Sequence, residues 1–226
     1  MRLIFWMMAL GLLLAPSVAF NQSLAVNPAF KAGSYTPLTG AQRWQRWWKE
    51  DGGSPSIHVE SFATAAWLQA WPAPKAWGQD TGGFFERLGS SYGGNLIENT
   101  MHEGLAATYG TDPRYFACSC KGFFHRSGHA LKMTFLTYNH DGQLALDIPQ
   151  LAGAYGGSMI ESTWWPNHYS ALVQGVQDGH IEMGFIGAVH LAQEFSPELK
   201  RMFHRRRGQT DGAHTAQPPR YNTSIQ

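Results

Sequence analysis

The fold of this chain is decided by a stretch of sequence that occurs twice, LGSSYGGNLIENTM at residues 88–101 and LAGAYGGSMIESTW at residues 151–164. Seven of the fourteen positions are identical, and the other seven replace small residues with small ones or apolar residues with apolar ones. A repeat at a fixed spacing, here 63 residues, indicates one structural unit used twice. The repeat therefore predicts an architecture, but it names no reaction.

Both copies of the repeat carry small residues at the spacing of one helix face. Positions three and four apart lie on the same side of a helix, and small side chains there allow two backbones to approach closely. Because glycine costs roughly 1 kcal/mol relative to alanine inside a helix, these glycines need a packing reason. The predicted seams are Gly89, Gly93, Ile97 and Thr100 in the first copy, Ala152, Gly156, Ile160 and Thr163 in the second, and Gly184, Ala188 and Ala192 in a helix over about 169–195.

These seams predict the fold class. We expect a mainly α protein, a close-packed helical bundle with an internal helix repeat and one small β-hairpin. The glycines expected to make the helix-packing contacts are Gly89, Gly93, Gly156 and Gly184.

Capping residues and helix breakers set the predicted boundaries. Thr39, Ser54 and Asp147 can each accept the first free N–H groups of a helix, and Gly110 can end the first repeat helix. Short β-prone runs around an Asp-Gly turn predict the hairpin over about 134–146. The predicted organisation is a signal peptide at 1–19, an irregular leader at 20–38, a helical domain at 39–207 and a disordered tail at 208–226.

The first nineteen residues have the features of a secretory signal. Arg2 supplies a positive charge, residues 3–14 form an apolar run too short to span a bilayer, and Ser17-Val-Ala19 has the small-x-small pattern of a cleavage site. Cleavage is expected after Ala19, which predicts an exported protein of the periplasm or cell envelope. An uncleaved N-terminal anchor is the alternative. No later apolar run approaches the ~18–20 residues of a transmembrane helix.

The charge of the processed chain argues against one class of partner. Loss of Arg2 leaves 16 basic and 16 acidic side chains among 207 residues, a formal net charge of zero. Such a balance gives no overall attraction for nucleic acid. The expected partner is a membrane surface or another envelope protein, no cofactor is expected, and the sequence does not set the oligomeric state.

A tryptophan-rich segment at the start of the domain is the expected contact surface. Trp44, Trp47 and Trp48 fall on one side of the first short helix, and three basic residues lie around them, Arg43, Arg46 and Lys49. Aromatic residues flanked by basic ones are typical of helices that lie in a membrane interface. Packing of a terminal helix onto its own domain explains the same pattern, so both interpretations stay open.

The cysteines of the chain are Cys118 and Cys120, separated by one residue. An exported pair suggests a disulfide, although a one-residue spacer closes a very tight ring. Two thiols in a loop, or a labile bond between them, is the plain interpretation, and a redox or metal role is the alternative.

Glu98 and Glu161 occupy the same place in the two copies, which suggests a carboxylate pair for acid–base chemistry. Helix geometry favours a plainer interpretation. At about 100° per residue, Glu98 lies about 140° from Gly93, away from the predicted seam. We therefore expect both glutamates on the solvent side of their helices. A site between the two copies is the alternative.

Histidine spacing offers a candidate metal site. His125 and His129 are four residues apart, as are Glu98 and His102, and also His190 and Glu194, and such pairs can face one metal ion. The chain contains no His-Glu-x-x-His, Gly-x-Ser-x-Gly or phosphate-loop motif. A metal-dependent hydrolase using His125, His129 and one of Glu98 or His102 is therefore the alternative function.

Several short motifs resemble one family of proteins. They are DPRYF at 112–116, RLGSSY at 87–92, GHALK at 128–132 and LAGAYGG at 151–157. Over roughly residues 40–204 the chain resembles a family of uncharacterised exported bacterial proteins that has no assigned activity. The resemblance implies a mostly helical envelope protein and brings no catalytic residues. The leading hypothesis is thus a non-enzymatic exported protein, structural or associated with a membrane surface.

Overall fold

The structure is a computed structural model of the 226-residue chain and describes residues 35–166 and 170–202. The predicted signal peptide, the leader before residue 35 and the predicted tail lie outside the described residues. The chain forms two compact units, one extending to Glu194 and the other starting at Phe195. The described part of the second unit is helical over residues 196–202.

The first two helices begin at the predicted caps. Helix α1, Gly40–Arg46, starts with a capping box in which Thr39 and Gln42 exchange hydrogen bonds, and it continues as a π-helical turn at Trp47–Gly52. Helix α2, Pro55–Ala70, starts at Ser54, whose hydroxyl accepts the N–H of Ser56.

The long first repeat helix, α3, spans Thr81–Tyr109. Its N-terminal cap is Asp80, whose carboxylate accepts the N–H of Gly83. It ends at Gly110 in the left-handed conformation, with φ of 67°, which glycine adopts without steric cost. Helix α4, Phe123–Lys132, follows after a loop that contains both cysteines.

A β-hairpin and two further helices complete the first unit. Strands β1, Leu136–Tyr138, and β2, Leu144–Leu146, pair antiparallel with Leu136 opposite Leu146. The second repeat helix, α5, spans Ile148–Glu161 and starts at Asp147 as predicted. Helix α6 spans Ala171–Glu194. The structure thus confirms a mainly helical protein with packed helices and one small hairpin.

The two repeat helices pack antiparallel, but through different glycines from those predicted. A Cβ added to Gly157 would lie 2.9 Å from the Glu98 Cβ, and a Cβ on Gly94 would lie 2.6 Å from the Glu161 Cδ. In contrast, a Cβ on Gly89 would meet nothing within 4 Å, and Gly93 and Gly156 meet only the side chains of Trp164 and Met101. The predicted seam is therefore wrong by one residue. The second glycine of each Gly-Gly pair lies at the interface, not the first.

The third predicted seam is also wrong. Gly184 is exposed and has no atom within 4 Å of an added Cβ. The close contacts of α6 are made instead by Gly175, against the backbone of Met159, and by Gly179, against the ring of Tyr155. Both contacts are with α5, so α6 joins the bundle through glycines four residues apart that had no predicted role.

Burial in this protein is inverted relative to an ordinary globular domain. Among the described residues, the buried apolar side chains number nine, and four of these are alanines. The buried polar and charged residues number fifteen, while twenty large apolar side chains are exposed. Among the described residues, no helix combines the length and the apolar character that crossing a bilayer requires.

One buried cation joins α3 to the turn before it. Arg87 is fully buried and donates hydrogen bonds of 2.8–3.0 Å to the backbone carbonyls of Ala73, Pro74 and Gly83 and to the side chain of Gln69. These acceptors are neutral, so the guanidinium is held by peptide dipoles instead of a carboxylate. The end of α2 is thereby fastened to the start of α3.

Candidate functional site

Four glutamates from four helices lie close to one another inside the bundle. They are Glu60 of α2, Glu98 of α3, Glu161 of α5 and Glu182 of α6, and all four are partly buried. The charges of the other three raise the pKa of Glu98, and the charges of Glu60 and Glu161 raise that of Glu182. The expectation that Glu98 and Glu161 face solvent is wrong, because the one-residue error in the seam rotates their helices by about 100°.

The repeat explains how the two equivalent glutamates are placed. Glu98 lies over Gly157 and Glu161 lies over Gly94, so each copy supplies the glycine that makes room for the other copy's carboxylate. Ser90 donates a 2.7 Å hydrogen bond to Glu161, and its equivalent in the second copy is Gly153, which has no hydroxyl. The Glu98 carboxylate consequently receives no hydrogen bond from any described residue.

Burial and mutual repulsion keep protons on these carboxyl groups. Burial, more than any neighbouring charge, raises the pKa of Glu161 to about 7 and that of Glu182 to about 8. The pKa of Glu98 is raised well above its usual value by burial and by the charges of Glu182, Glu60 and Glu161. At neutral pH the cluster therefore holds protons, which lowers the repulsion between acidic groups that lie together between helices.

The predicted contact surface divides into an inward and an outward part. Trp44 and Trp48 are 65% and 58% exposed, whereas Trp47 is partly buried and donates from Nε1 to the hydroxyl of Thr100 at 3.1 Å. Trp44 stacks on Trp47 with ring centroids 5.2 Å apart. Trp47 therefore connects the π-helical turn after α1 to α3, while Trp44 and Trp48 beside it remain exposed.

Two of the basic residues near these tryptophans face the domain. Arg43 donates a 2.7 Å hydrogen bond to the carbonyl of Thr111, and Arg46 forms ion pairs with Glu50 and with the buried Glu103. Lys49 is exposed. Packing of α1 onto its domain and exposure of an aromatic face thus occur together, and the two interpretations of the sequence are not exclusive.

A second polar centre forms around Glu194, the last residue of α6. This carboxylate is 2% exposed, accepts the hydroxyl of Tyr115 at 2.5 Å, and accepts the backbone N–H of Cys118 at 3.1–3.2 Å. Arg126 forms an ion pair with it, and the His129 Nδ1 atom lies 3.6 Å from it. Cys118 and Cys120 are joined in a disulfide.

The four residues predicted as an alternative metal site do not come together. His129 lies beside Glu194, His125 is exposed on α4, and Glu98 belongs to the acidic cluster. Among the described residues, the one group of three metal-ligating side chains whose ligand atoms lie within 4.8 Å of each other is Cys118, His129 and Glu194. The spacing His190–Glu194, four residues apart on α6, was a signal for part of this group.

Two largely buried histidines near the hairpin are held neutral. Burial, followed by the charge of Arg46, lowers the pKa of His102 to about 3, and burial with the charge of His129 lowers that of His190 to about 4. The His102 Nε2 atom is 4.0 Å from the Asp147 carboxylate, and burial raises the pKa of Asp147 to about 6. A cavity of about 20 Å³, lined in part by Asp147 and His190, has room for about one water molecule.

Sequence reasoning missed Glu60 and Glu182 as members of the acidic cluster. Glu60 and Glu182 lie outside the repeat, so the internal repeat could not point to them.

Comparison with known proteins adds no further guide to the function, since no family model, no curated protein and no solved structure matches this chain.

Proposed function

We propose that this is a non-enzymatic protein of the cell envelope that binds a membrane surface through an aromatic face formed by α1 and the π-helical turn that follows it. The face consists of Trp44 and Trp48, with the exposed Lys49 beside them. Tryptophan favours the boundary between lipid and water because its ring is apolar and its N–H is polar. A lysine at the edge of such a face can reach the phosphate groups of lipids.

The inverted burial of the chain is the observation that carries this proposal. A domain that buries serines, glycines and glutamates and exposes twenty large apolar side chains needs a covering for that surface. Small and polar residues between helices with large apolar residues outside is a pattern of proteins that work in contact with lipid. The apolar run at residues 3–14 supports lipid as the occupant, since it would bring the chain to a membrane.

The proposal is tested by flotation of the chain from Phe20 onward with vesicles of phosphatidylethanolamine and phosphatidylglycerol. We expect the protein to float with the vesicles and the double variant Trp44→Ser/Trp48→Ser to float at least fivefold less. One interfacial helix binds weakly, so each tryptophan contributes a large part of the affinity.

A matched control removes as many exposed aromatic rings elsewhere. Phe123 and Phe124 of α4 are 65% and 85% exposed, and the variant Phe123→Ser/Phe124→Ser should lose much less flotation than the tryptophan variant, because phenylalanine lacks the polar N–H that places tryptophan at the boundary between lipid and water. Equal flotation of the tryptophan variant and the unchanged protein would contradict the proposal. So would a protein that ignores vesicles and forms a stable dimer, because a second copy would then cover the aromatic face.

A further inference from the structure

We infer that Cys118, Cys120, His129 and Glu194 form a zinc site that is closed by the Cys118–Cys120 disulfide and opened by its reduction. This inference is independent of the membrane proposal, because the residues lie in the cysteine loop, α4 and the end of α6 and include no part of α1. Cysteine, histidine and glutamate are the ligand types that zinc takes in proteins.

The spacing of the ligand atoms fits one small ion. The Cys118 sulfur, a ring nitrogen of His129 and a carboxylate oxygen of Glu194 all lie within 4.8 Å of one another. The His129 Nδ1 atom and the Glu194 Oε2 atom are 3.6 Å apart. Two ligands each 2.0–2.1 Å from a tetrahedral zinc ion lie about 3.4 Å apart, so this pair is close to its bound separation.

The surroundings hold the ligands in place before any metal binds. The backbone N–H of Cys118 contacts both carboxylate oxygens of Glu194, and Tyr115 donates to one of them. A carboxylate that is fixed by such hydrogen bonds is oriented for binding, as outer contacts orient the ligands of known metal sites. Arg126 balances the charge of Glu194, and two thiolates with one carboxylate would outweigh that single positive charge.

The disulfide controls whether sulfur can bind the metal. A thiolate is the ligand form of cysteine, and neither sulfur can ionise while the S–S bond is intact. A dithiol reductant breaks this bond by supplying two electrons and two protons, becomes a disulfide itself, and leaves two thiols on the protein. Zinc then displaces one proton from each thiol. The Cys120 sulfur supplies the fourth ligand, since it is bonded to the Cys118 sulfur in the closed state.

Reduction should leave the fold in place. The disulfide encloses a single residue, Ser119, and the stabilisation from restricting the unfolded chain is smallest for such short loops. The Glu194 hydrogen bonds to Tyr115 and to the Cys118 N–H do not involve sulfur. The loop therefore stays beside the carboxylate when the bond opens.

Zinc binding by the purified full chain tests this inference. The oxidised protein and protein treated with a phosphine reductant are each dialysed against micromolar zinc, and the bound metal is measured by atomic emission. We expect one zinc per reduced chain and none per oxidised chain. Cobalt added in place of zinc should give a sulfur-to-cobalt charge-transfer band in the reduced protein.

The ligands are assigned with variants of Cys118 and His129, because replacement of Glu194 also removes its hydrogen bonds to Tyr115 and to the Cys118 N–H. In the reduced state Cys118→Ser and His129→Gln should each bind zinc at least tenfold more weakly, while His125→Gln, an exposed histidine on the same helix, should bind normally. The inference is overturned by a reduced chain that holds no zinc, by equal binding in both redox states, or by full binding in Cys118→Ser.

Discussion

Arg87 is the residue on which the join between α2 and α3 depends most. It is fully buried, and its four hydrogen bonds reach acceptors on both sides of the turn. A buried charge is stable only when its donors are satisfied, and peptide carbonyls do this here as a carboxylate would elsewhere. Nothing in the sequence around Arg87 indicated burial, because its acceptors are backbone atoms that any sequence would supply.

Replacement of Arg87 by methionine should destabilise the protein by about 3 kcal/mol or more, since several buried carbonyls lose charge-assisted partners together. Arg87→Lys should recover only part of this loss, because an ammonium group cannot reach four acceptors at the corners of a guanidinium. Urea unfolding measures both, with Lys132→Met as the control for loss of an exposed cation. A change of under 1 kcal/mol for Arg87→Met would contradict this account.

At the scale of the elements, the two copies of the repeat pack so that the glycine of each copy faces the glutamate of the other. In each copy the second glycine lies four residues before the glutamate, so both fall on one face of the helix. Antiparallel packing then sets each glutamate opposite the other copy's glycine, as Gly94 with Glu161 and Gly157 with Glu98 show. The repeated motif is thus complementary to itself.

Two glycine-to-alanine variants test whether the repeat helices pack through this interface or through the predicted one. Gly157→Ala should destabilise the protein by about 1–3 kcal/mol, because the new Cβ would lie 2.9–3.0 Å from the Cβ and the backbone Cα of Glu98. Gly89→Ala should stabilise it by about 0.5–1 kcal/mol, because that site is exposed, helical and open. Chemical denaturation of both variants checks the signs. The reverse order of stability would restore the seam through Gly89 and Gly93.

The sequence predicted the elements well and their faces poorly, for a physical reason. A helix end is marked by local residues, so Thr39, Ser54 and Gly110 were sufficient to place three of them. The face that a helix buries depends on its partner. In a Gly-Gly pair either glycine satisfies the small-residue rule, and choosing the first of the two turned Glu98 outward. The Glu194 centre needs a contact across 79 residues with Tyr115, which no local pattern predicts.

At the scale of the whole molecule, two sets of buried groups make stability depend on pH in opposite directions. The glutamates have raised pKa values, so their contribution is present below the unfolded value of about 4.5 and is lost as the pH rises through 7 to 8. His102 and His190 have lowered pKa values, so their contribution is present above about 6.5 and is lost as the pH falls toward 4 and then 3. Of these two sets, the glutamates alone change their protonation in the folded state above pH 6.5.

The free energy of unfolding should therefore fall by about 2–3 kcal/mol as the pH rises from 6.5 to 8, since the folded state retains protons that the unfolded chain has lost. Glu182→Gln removes the group with pKa about 8 and its repulsion of Glu98, so the variant should match the unchanged protein near pH 5 and exceed its stability at pH 8 by about 3 kcal/mol. Urea midpoints at pH 5, 6.5 and 8 measure this, with the exposed Glu86→Gln as the matched control. Parallel pH profiles for the unchanged protein and Glu182→Gln would show that Glu182 does not keep its proton in the folded state near neutral pH, and its place in a protonated acidic cluster would then have to be abandoned.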